Sequence, residues 1–220
     1  MFIDDIISGL KTISDNLIKY QRSSNKDNAR LYDEIFRLEK LCIMLRKLPY
    51  YCNFSNNSGN IQKNVDTELL KAHEIVVCKT TEGYPFVKIP RLLPSRSAKT
   101  KGSLDFVRYP LQLALTKYVE ENGYPIKENK KKVIVIRHNY PSDMPEFRCR
   151  DHDNYEVKGI IDDIASYFLV DDSIIYCDRL YLSKPNNEFS TEIFVIPESD
   201  LTDWLTKNYR EADDFAPKNE

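Results

Sequence analysis

Three aspartates are the residues in this sequence best suited to phosphate chemistry. Asp151 and Asp153 flank a histidine in the run D-H-D-N, and Asp172 is the second member of an Asp-Asp pair further along the chain. In an extended backbone, residues two apart project to the same side, so the first two carboxylates could reach one hard cation. Spacing alone is weak evidence, because Asp-x-Asp is also common in turns and at helix starts.

The sequence around these aspartates predicts a strand, a helix and a second strand that would position them. The β-branched run VIVIRHNY precedes the first pair, apolar residues at helical spacing occupy 155–168, and Asp171 and Asp172 precede the strand-like run SIIYCDRLYLS. We expect the chain to return beside the first pair, so that three carboxylates converge on one site. Mg²⁺, or alternatively Mn²⁺, would orient a hydrolytic water there and neutralise charge on a phosphate.

A basic stretch leads directly into this acidic segment. Residues 86–150 contain 14 Lys/Arg against 6 Asp/Glu, a charge of +8, and residues 151–220 contain 6 against 17, a charge of -11. Basic residues attract a polyanion while carboxylates hold the cation, although ordinary solvated surface would give the same composition. The residues expected to contact DNA are Arg96, Lys99, Lys101, Arg148 and Arg150. Arg148 and Arg150 alternate with Cys149, so both could grip one phosphate.

The segment R-C-R-D-H-D-N-Y-E-V-K-G-I-I-D-D-I, followed by F-L-V-D-D-S-I-I and T-E-I-F-V-I, resembles the core of RusA-type Holliday junction resolvases. The resemblance covers about residues 84–197. It implies that Asp151, Asp153 and Asp172 are catalytic and hold the metal, that Lys158 neutralises charge on the scissile phosphate, and that the protein is a homodimer. Lys158 lies one residue further from Asp153 than the family's lysine, and the interval to the Asp pair is one residue shorter.

Two functions follow as hypotheses. The first is a Mg²⁺-dependent endonuclease acting on branched or structured DNA. The alternative is a non-catalytic RusA-like module of a mobile element that binds DNA or protein. A third hypothesis, a helical adaptor unrelated to nucleic acid, leaves the arrangement of basic and acidic residues as coincidence.

Several site residues also have plainer interpretations. Asp151 and Asp153 could cap a helix, Asn154 could cap the helix that follows, and Asp172 could be a solvated residue at a strand end. Asp162 lies one helical turn from Lys158 and could pair with it. His152 is expected to point away from its neighbours as a bystander, and the lysines at 130–132 are expected to form a solvated linker.

The chain is predicted to be an α+β protein with a mixed β-sheet domain and flanking helices. We assign 1–52 to a helical hairpin, 53–83 to a connecting segment, 84–197 to the RusA-like domain, and 198–220 to a C-terminal helix and tail. The hairpin shows apolar residues at helical spacing on both helices. Such a hairpin could dimerise or bind a protein partner, or it could simply pack on the main domain.

The remaining composition excludes several classes of protein. The five cysteines are odd in number and contain no CxxC pair, so we expect idle thiols rather than a zinc site. The longest apolar runs are only a few residues long, whereas a membrane span needs about 20. Asp4 and Asp5 stand where a secretory signal would carry positive charge, so we expect a cytoplasmic protein.

Overall fold

The computed structural model describes residues 2–23, eight positions between 31 and 45, and residues 58–96, 104–144 and 149–208. Helix α1 spans Phe2–Arg22, one turn longer than predicted. The described residues between 31 and 45 are helical and form part of a second helix, α2. Gly9 lets the two helices approach closely, because a Cβ there would lie 2.9 Å from Cδ1 of Leu41. Described residues of the two predicted helices are therefore in contact, whereas most of the predicted turn at 22–28 lies outside the described residues.

Five strands form one mixed sheet in the order β1-β2-β5-β3-β4. Their bounds are Val76–Lys79 for β1, Pro85–Ile89 for β2, Lys132–Pro141 for β3, Cys177–Asn186 for β4 and Ser190–Pro197 for β5. Strands β3 and β4 are parallel, and the other neighbouring pairs are antiparallel. The predicted α+β class with a mixed sheet is confirmed.

Four further helices accompany the sheet. They are α3 at Ser58–His73, α4 at Asp105–Asn122, α5 at Lys158–Phe168 and α6 at Leu201–Asn208. Helix α4 ends at Gly123, whose φ of 76° suits glycine and whose N–H donates to the Val119 carbonyl. No helix within the described ranges combines the length and apolar character needed to cross a bilayer.

Helix α3 and strand β1 lie in the segment that the sequence assigned to a connection. Strand β1 pairs with β2 at the edge of the sheet. Helix α3 packs on α4, since the Tyr109 hydroxyl donates to Oδ1 of Asp66 at 2.7 Å and the His73 ring lies 4.8 Å from that of Phe106. The polar composition of the first turns of α3 concealed this packing. Residues 58–79 thus belong to the sheet domain, which corrects the predicted boundary.

Two hydrophobic clusters lie on opposite faces of the sheet. Ile134 and Ile136 of β3 pack in a cluster with α4 and α5, whereas Val133 and Val135 pack on the other face with Trp204 of α6. Successive side chains of a strand point to opposite faces, so an unbroken apolar run serves both clusters. The prediction that β3 is buried on both faces is confirmed.

Helix α5 is the crossover between the two parallel strands. The side chain of Lys132, the first residue of β3, donates to the backbone carbonyl of Phe168, the last residue of α5, at 3.2 Å. The end of α5 therefore lies at the amino end of β3. Its start, together with the segment that follows β3, lies toward the carboxyl ends of β3 and β4.

Candidate functional site

Residues 151–154, here called the acidic turn, form a tight loop between β3 and α5. Asp151 is extended, with φ -62° and ψ 147°, and His152–Asn154 then form a 3₁₀ turn in which the Asn154 N–H donates to the Asp151 carbonyl at 3.1 Å. The expected extended backbone is therefore wrong across residues 152–154. The side chains of Asp151 and Asp153 are both exposed, but a 3₁₀ turn does not direct residues two apart to the same side.

Neither of the expected capping roles is present in the acidic turn. The Asp151 side chain makes no capping hydrogen bond, and α5 begins after Val157 rather than after Asn154. An exposed carboxylate that is not needed to hold a helix end is available to a ligand. Asp151 and Asp153 remain candidates on that ground.

The start of the basic loop runs alongside the acidic turn. The Arg96 N–H donates to the Asn154 carbonyl, and the Glu156 N–H donates to the Pro94 carbonyl, each at 2.8 Å. Ser95 and Tyr155 form an isolated β-bridge between these bonds. Arg96 is thus fixed by its backbone next to the two aspartates, with an exposed side chain.

A column of four rings, the ring stack, lies beneath the acidic turn. His138 stacks on Tyr155 with ring centroids 3.9 Å apart, and the His152 ring lies 5.7 Å from that of His138. Tyr181 of β4 completes the column, 5.8 Å from His152. Nε2 of His152 also lies 3.5 Å from the Ser183 hydroxyl oxygen. The His152 ring therefore packs toward the sheet, although the extended backbone on which its predicted orientation rested is not present.

His138 is fully buried, and neither of its ring nitrogens finds a hydrogen-bond partner among the described residues. Burial lowers the pKa of His138 to about 3, and electrostatic repulsion from His152, when that ring is protonated, and from the Arg150 guanidinium acts in the same direction. Burial also lowers the pKa of His152, against the opposing charge of Asp151. Both imidazoles are consequently neutral at physiological pH.

Two tyrosines tie β3 to the acidic turn. The hydroxyl groups of Tyr140 and Tyr155 share a short hydrogen bond, and burial together with this bond raises the pKa of Tyr155. The Arg150 N–H donates to the Tyr140 hydroxyl oxygen at 3.3 Å, and the Arg150 guanidinium donates to the Leu93 carbonyl at 3.4 Å. Arg150 is exposed and directly precedes Asp151, but hydrogen bonds fix both its backbone N–H and its guanidinium.

Asp172 lies at the opposite end of the parallel pair. His152 is level with Ser183 of β4, whereas Asp172 precedes Cys177, which pairs with Lys132 at the amino end of β3. Asp172 is near enough to Cys177 to raise the pKa of that thiol, although burial is the larger cause. At about 3.3 Å per residue, the six residues from Cys177 to Ser183 span about 20 Å. The expected convergence of all three carboxylates does not occur within one chain, because α5 carries the chain back to the amino end of β3 before β4 begins.

The other predicted residues have varied locations. Lys158 is the exposed first residue of α5 and forms no ion pair with Asp162. Asp163 instead is buried and bound by Arg108. The lysines at 130–132 are not a free linker, since Lys131 pairs with Asp178 at 2.6 Å and Lys132 begins β3. Arg148, Lys99 and Lys101 lie outside the described residues.

Across the part of the chain that the structure describes, no group of three or more His, Cys, Asp or Glu side chains could hold a metal ion. Asp151 and Asp153 nevertheless fit Mg²⁺ in one respect. Mg²⁺ keeps several waters and is commonly bound by one or two carboxylates together with substrate phosphates. Cys42, Cys78 and Cys177, among the cysteines that the structure describes, are free thiols.

The ring stack was not predicted from the sequence. His138 and Tyr140 continue the alternate positions of Ile134 and Ile136, so period two places them on the same helix-covered face. The sequence did contain one indication of the ring stack, because the polar rings of His138 and Tyr140 continue a buried series of apolar residues. The partners of these rings come from the acidic turn and from β4, and local spacing does not indicate them.

Comparison with known proteins identifies a family but no activity. A family model described as "Family of unknown function (DUF6100)" matches residues 3–218, nearly the whole chain, so the chain belongs to that family. No curated protein matches it.

Proposed function

We propose that this member of the DUF6100 family is a metal-dependent nuclease that acts on branched or structured DNA, with its site at the acidic turn. The observation that carries the proposal is the pair of exposed, non-capping carboxylates, Asp151 and Asp153, beside Arg150 and Arg96. The turn lies near the carboxyl ends of the parallel strands. Ligands of open sheets with helical crossovers commonly bind in that place.

The order of elements supports the resemblance to RusA-type resolvases. From β2 onward the chain runs strand, basic loop, helix, strand, acidic turn, helix and two strands, which is the order that the resemblance implies. A fold-level likeness does not by itself carry an activity. The proposal therefore depends on the residues of the acidic turn.

In the proposed reaction, each side chain has a separate role. One or both of Asp151 and Asp153, together with a substrate phosphate, would hold Mg²⁺, which would supply an activated water and neutralise developing charge on the phosphate. Arg150 and Arg96 bind backbone phosphates on either side of the turn. Lys158 and the amino end of α5 place positive charge near the leaving oxygen.

A second function is favoured by the position of Asp172. With only two carboxylates at the acidic turn, the fold could bind DNA or a protein partner without cleaving DNA. In either case we expect a homodimer, as the resemblance implies. The two functions share a DNA-binding surface and differ only in the chemistry of Asp151 and Asp153.

The decisive experiment compares two matched substitutions on a labelled four-way junction with Mg²⁺ or Mn²⁺. Asp153→Asn removes a charge that the cation needs while keeping nearly the same volume, so cleavage should be lost and binding retained. Asp172→Asn is the control, because Asp172 precedes β4 and lies at the opposite end of the parallel pair from the turn. It should cut at the rate of the parent protein.

Each other outcome rejects part of the proposal. A parent protein that binds the junction but never cuts it would favour the non-catalytic module. Equal cutting by Asp153→Asn would remove Asp153 from the site. Loss of cutting in Asp172→Asn, with folding unchanged, would mean that two chains combine their carboxylates in one site.

A further inference from the structure

Strand β4 forms one edge of the sheet, and no strand within the described residues pairs with its outer side. It is 10 residues long, so this edge presents a row of backbone N–H and C=O groups that the sheet itself does not use. Proteins commonly block such an edge with charged side chains or proline. The middle of β4, residues 180–183, contains neither. This stretch of the edge is therefore suited to pairing with another strand.

Two hydrogen bonds show which backbone groups of β4 face outward. Just before the strand, the Tyr176 carbonyl accepts from the Lys132 N–H at 2.9 Å. At its other end, the Asn186 carbonyl accepts from the Ser142 N–H at 2.9 Å, and the register between the two bonds is continuous. Because successive residues of a strand direct their N–H and C=O groups to opposite edges, the even-numbered residues of β4 face β3. The odd-numbered residues face the open edge, and they are Cys177, Arg179, Tyr181, Ser183 and Pro185.

The backbone donors at this edge are arranged symmetrically about Tyr181. At one end the Cys177 N–H is already used, because it donates to the Ser173 carbonyl at 2.9 Å. At the other end Pro185 has no N–H, and an outward-facing position of an edge strand is where proline is tolerated. The outward-facing residues that offer a partner both an N–H and a C=O group are Arg179, Tyr181 and Ser183.

We propose that two copies of this chain pair through β4, antiparallel, about a two-fold axis at Tyr181, so that their sheets join into one. Tyr181 then faces its own copy and Arg179 faces Ser183 of the other copy, so every outward N–H lies opposite an outward carbonyl. A shift of two residues in one direction sets the Ser183 carbonyl against Cys177, whose N–H is already used. A shift in the other direction sets the Arg179 carbonyl against Pro185, which has no N–H.

Side chains near the proposed axis are apolar on the face of the sheet that α6 covers. Leu180 faces Leu182 of the other copy there, at a position where paired side chains lie close together. Leu182 is buried in the cluster that contains Trp204, and Leu180 packs against that cluster. The pairing therefore joins the apolar clusters of the two copies as well as their backbones.

Exposed apolar residues lie at both ends of β4. Ile174 and Ile175, before the strand, are 85% and 69% exposed, and Phe189, after it, is 43% exposed. Antiparallel pairing brings the first end of one copy beside the second end of the other, so these residues share each end of the joined strands. A strand of a different protein would also pair with an open edge. The symmetric arrangement of donors and of exposed apolar residues favours a second copy.

The first test oxidises the full chain with diamide and measures covalent dimer by electrophoresis without reductant. Tyr181→Cys should form it, because the two copies of residue 181 face each other with Cα atoms about 5.5 Å apart, a distance that suits a disulfide. Arg179→Cys is the matched control. Its two copies lie about 13 Å apart along the strands, so it should give no more covalent dimer than the parent protein, although position 179 is the more exposed.

The second test measures the dimer dissociation constant of the full chain by sedimentation equilibrium. Ser183→Pro removes an outward N–H and leaves the bonds to β3 in place, so it should weaken the dimer roughly ten-fold or more through the loss of two symmetry-related hydrogen bonds. Ser183→Thr keeps the N–H and should match the parent protein. Circular dichroism checks that both variants fold, and if Ser183→Pro does not, the cross-linking pair decides alone.

Three results would each overturn the proposal. The first is a monomeric parent protein, and the second is a Tyr181→Cys protein that gives no more covalent dimer than Arg179→Cys. The third is a folded Ser183→Pro protein that dimerises as tightly as Ser183→Thr. None of these readouts involves DNA, so they are independent of the proposed nuclease activity.

Discussion

Arg108 of α4 grips Asp163 of α5 with two parallel hydrogen bonds. Nε donates to one carboxylate oxygen at 2.8 Å and Nη2 donates to the other at 2.9 Å, while Gln112 adds a third bond at 2.9 Å. The Asp163 side chain is 8% exposed, so its charge is almost removed from water. The bond to Asp163 also raises the pKa of Arg108. This contact fixes the two helices that cover one face of the sheet.

Arg108→Met should destabilise the protein by about 3 kcal/mol or somewhat less. Removing one partner leaves an uncompensated buried carboxylate, although the partly exposed arginine side implies that water would reach it in part. Lys117→Met is the control on the same helix, because its pair with Glu121 is exposed and 3.8 Å long, and it should cost under about 0.5 kcal/mol. Urea unfolding of both variants measures the difference. Equal losses would show that burial of Asp163 contributes nothing.

The Asp163 contact shows which features of α5 the spacing of residues in the sequence can predict and which it cannot. Sequence periodicity predicted α5 and placed Asp162 one turn from Lys158, where surface pairing is common. Its neighbour Asp163 instead binds Arg108, a residue 55 positions away on another helix. Helix periodicity indicates which face is apolar, but it does not indicate which distant cation will meet a carboxylate at the edge of that face.

The acidic site was predictable to the same degree. The run D-H-D-N and its location after a buried strand could be recognised in the sequence, and the two aspartates are exposed there. The position of Asp172 could not be read from the sequence. It depends on whether β4 begins at the end of the sheet that carries the acidic turn or at the opposite end. Parallel pairing of β3 and β4 fixes that direction, and it became visible only from the sheet register.

Acid should weaken the fold through His138. Its pKa is about 3 in the folded protein and about 6.5 when unfolded, so above pH 6.5 both states are neutral and His138 has no effect. As the pH falls from 6.5 toward 3, the unfolded chain binds a proton that the folded chain excludes. Stability should fall by up to about 1.4 kcal/mol per pH unit in this window.

The variant His138→Phe keeps a ring against Tyr155 and removes the titration. Urea unfolding between pH 7 and pH 4 should give a smaller loss of stability for the variant than for the parent. The groups that face His138, namely His152, Arg150 and Tyr155, are unchanged between the two proteins. Parallel pH profiles for parent and variant would show that His138 is protonated within the fold.

DNA binding should depend on the arginines beside the acidic turn. Arg96→Ala and Arg150→Ala should each weaken binding of a four-way junction and lower the salt slope by about one, since each removes one phosphate contact. Lys130→Ala is the control, because Lys130 pairs with Glu128 near the amino end of β3, away from the turn. Fluorescence anisotropy across a salt series gives both quantities. If Lys130→Ala lowered the salt slope as much as Arg96→Ala does, the DNA would not bind specifically at the acidic turn.

Removing the hairpin should leave the sheet domain folded, provided that α3 is kept. A chain that begins at Ser58 retains the contacts of Asp66 with Tyr109 and of His73 with Phe106, so it should unfold in urea with the midpoint of the full-length sheet domain. A chain that begins at Glu74 loses α3 and uncovers Tyr118 and the apolar residues beside it, in a cleft of about 520 Å³. It should be roughly 2 kcal/mol less stable, or more, because half-buried apolar side chains are returned to water. Aggregation of the chain that begins at Ser58 would instead mean that the hairpin covers surface of the main domain.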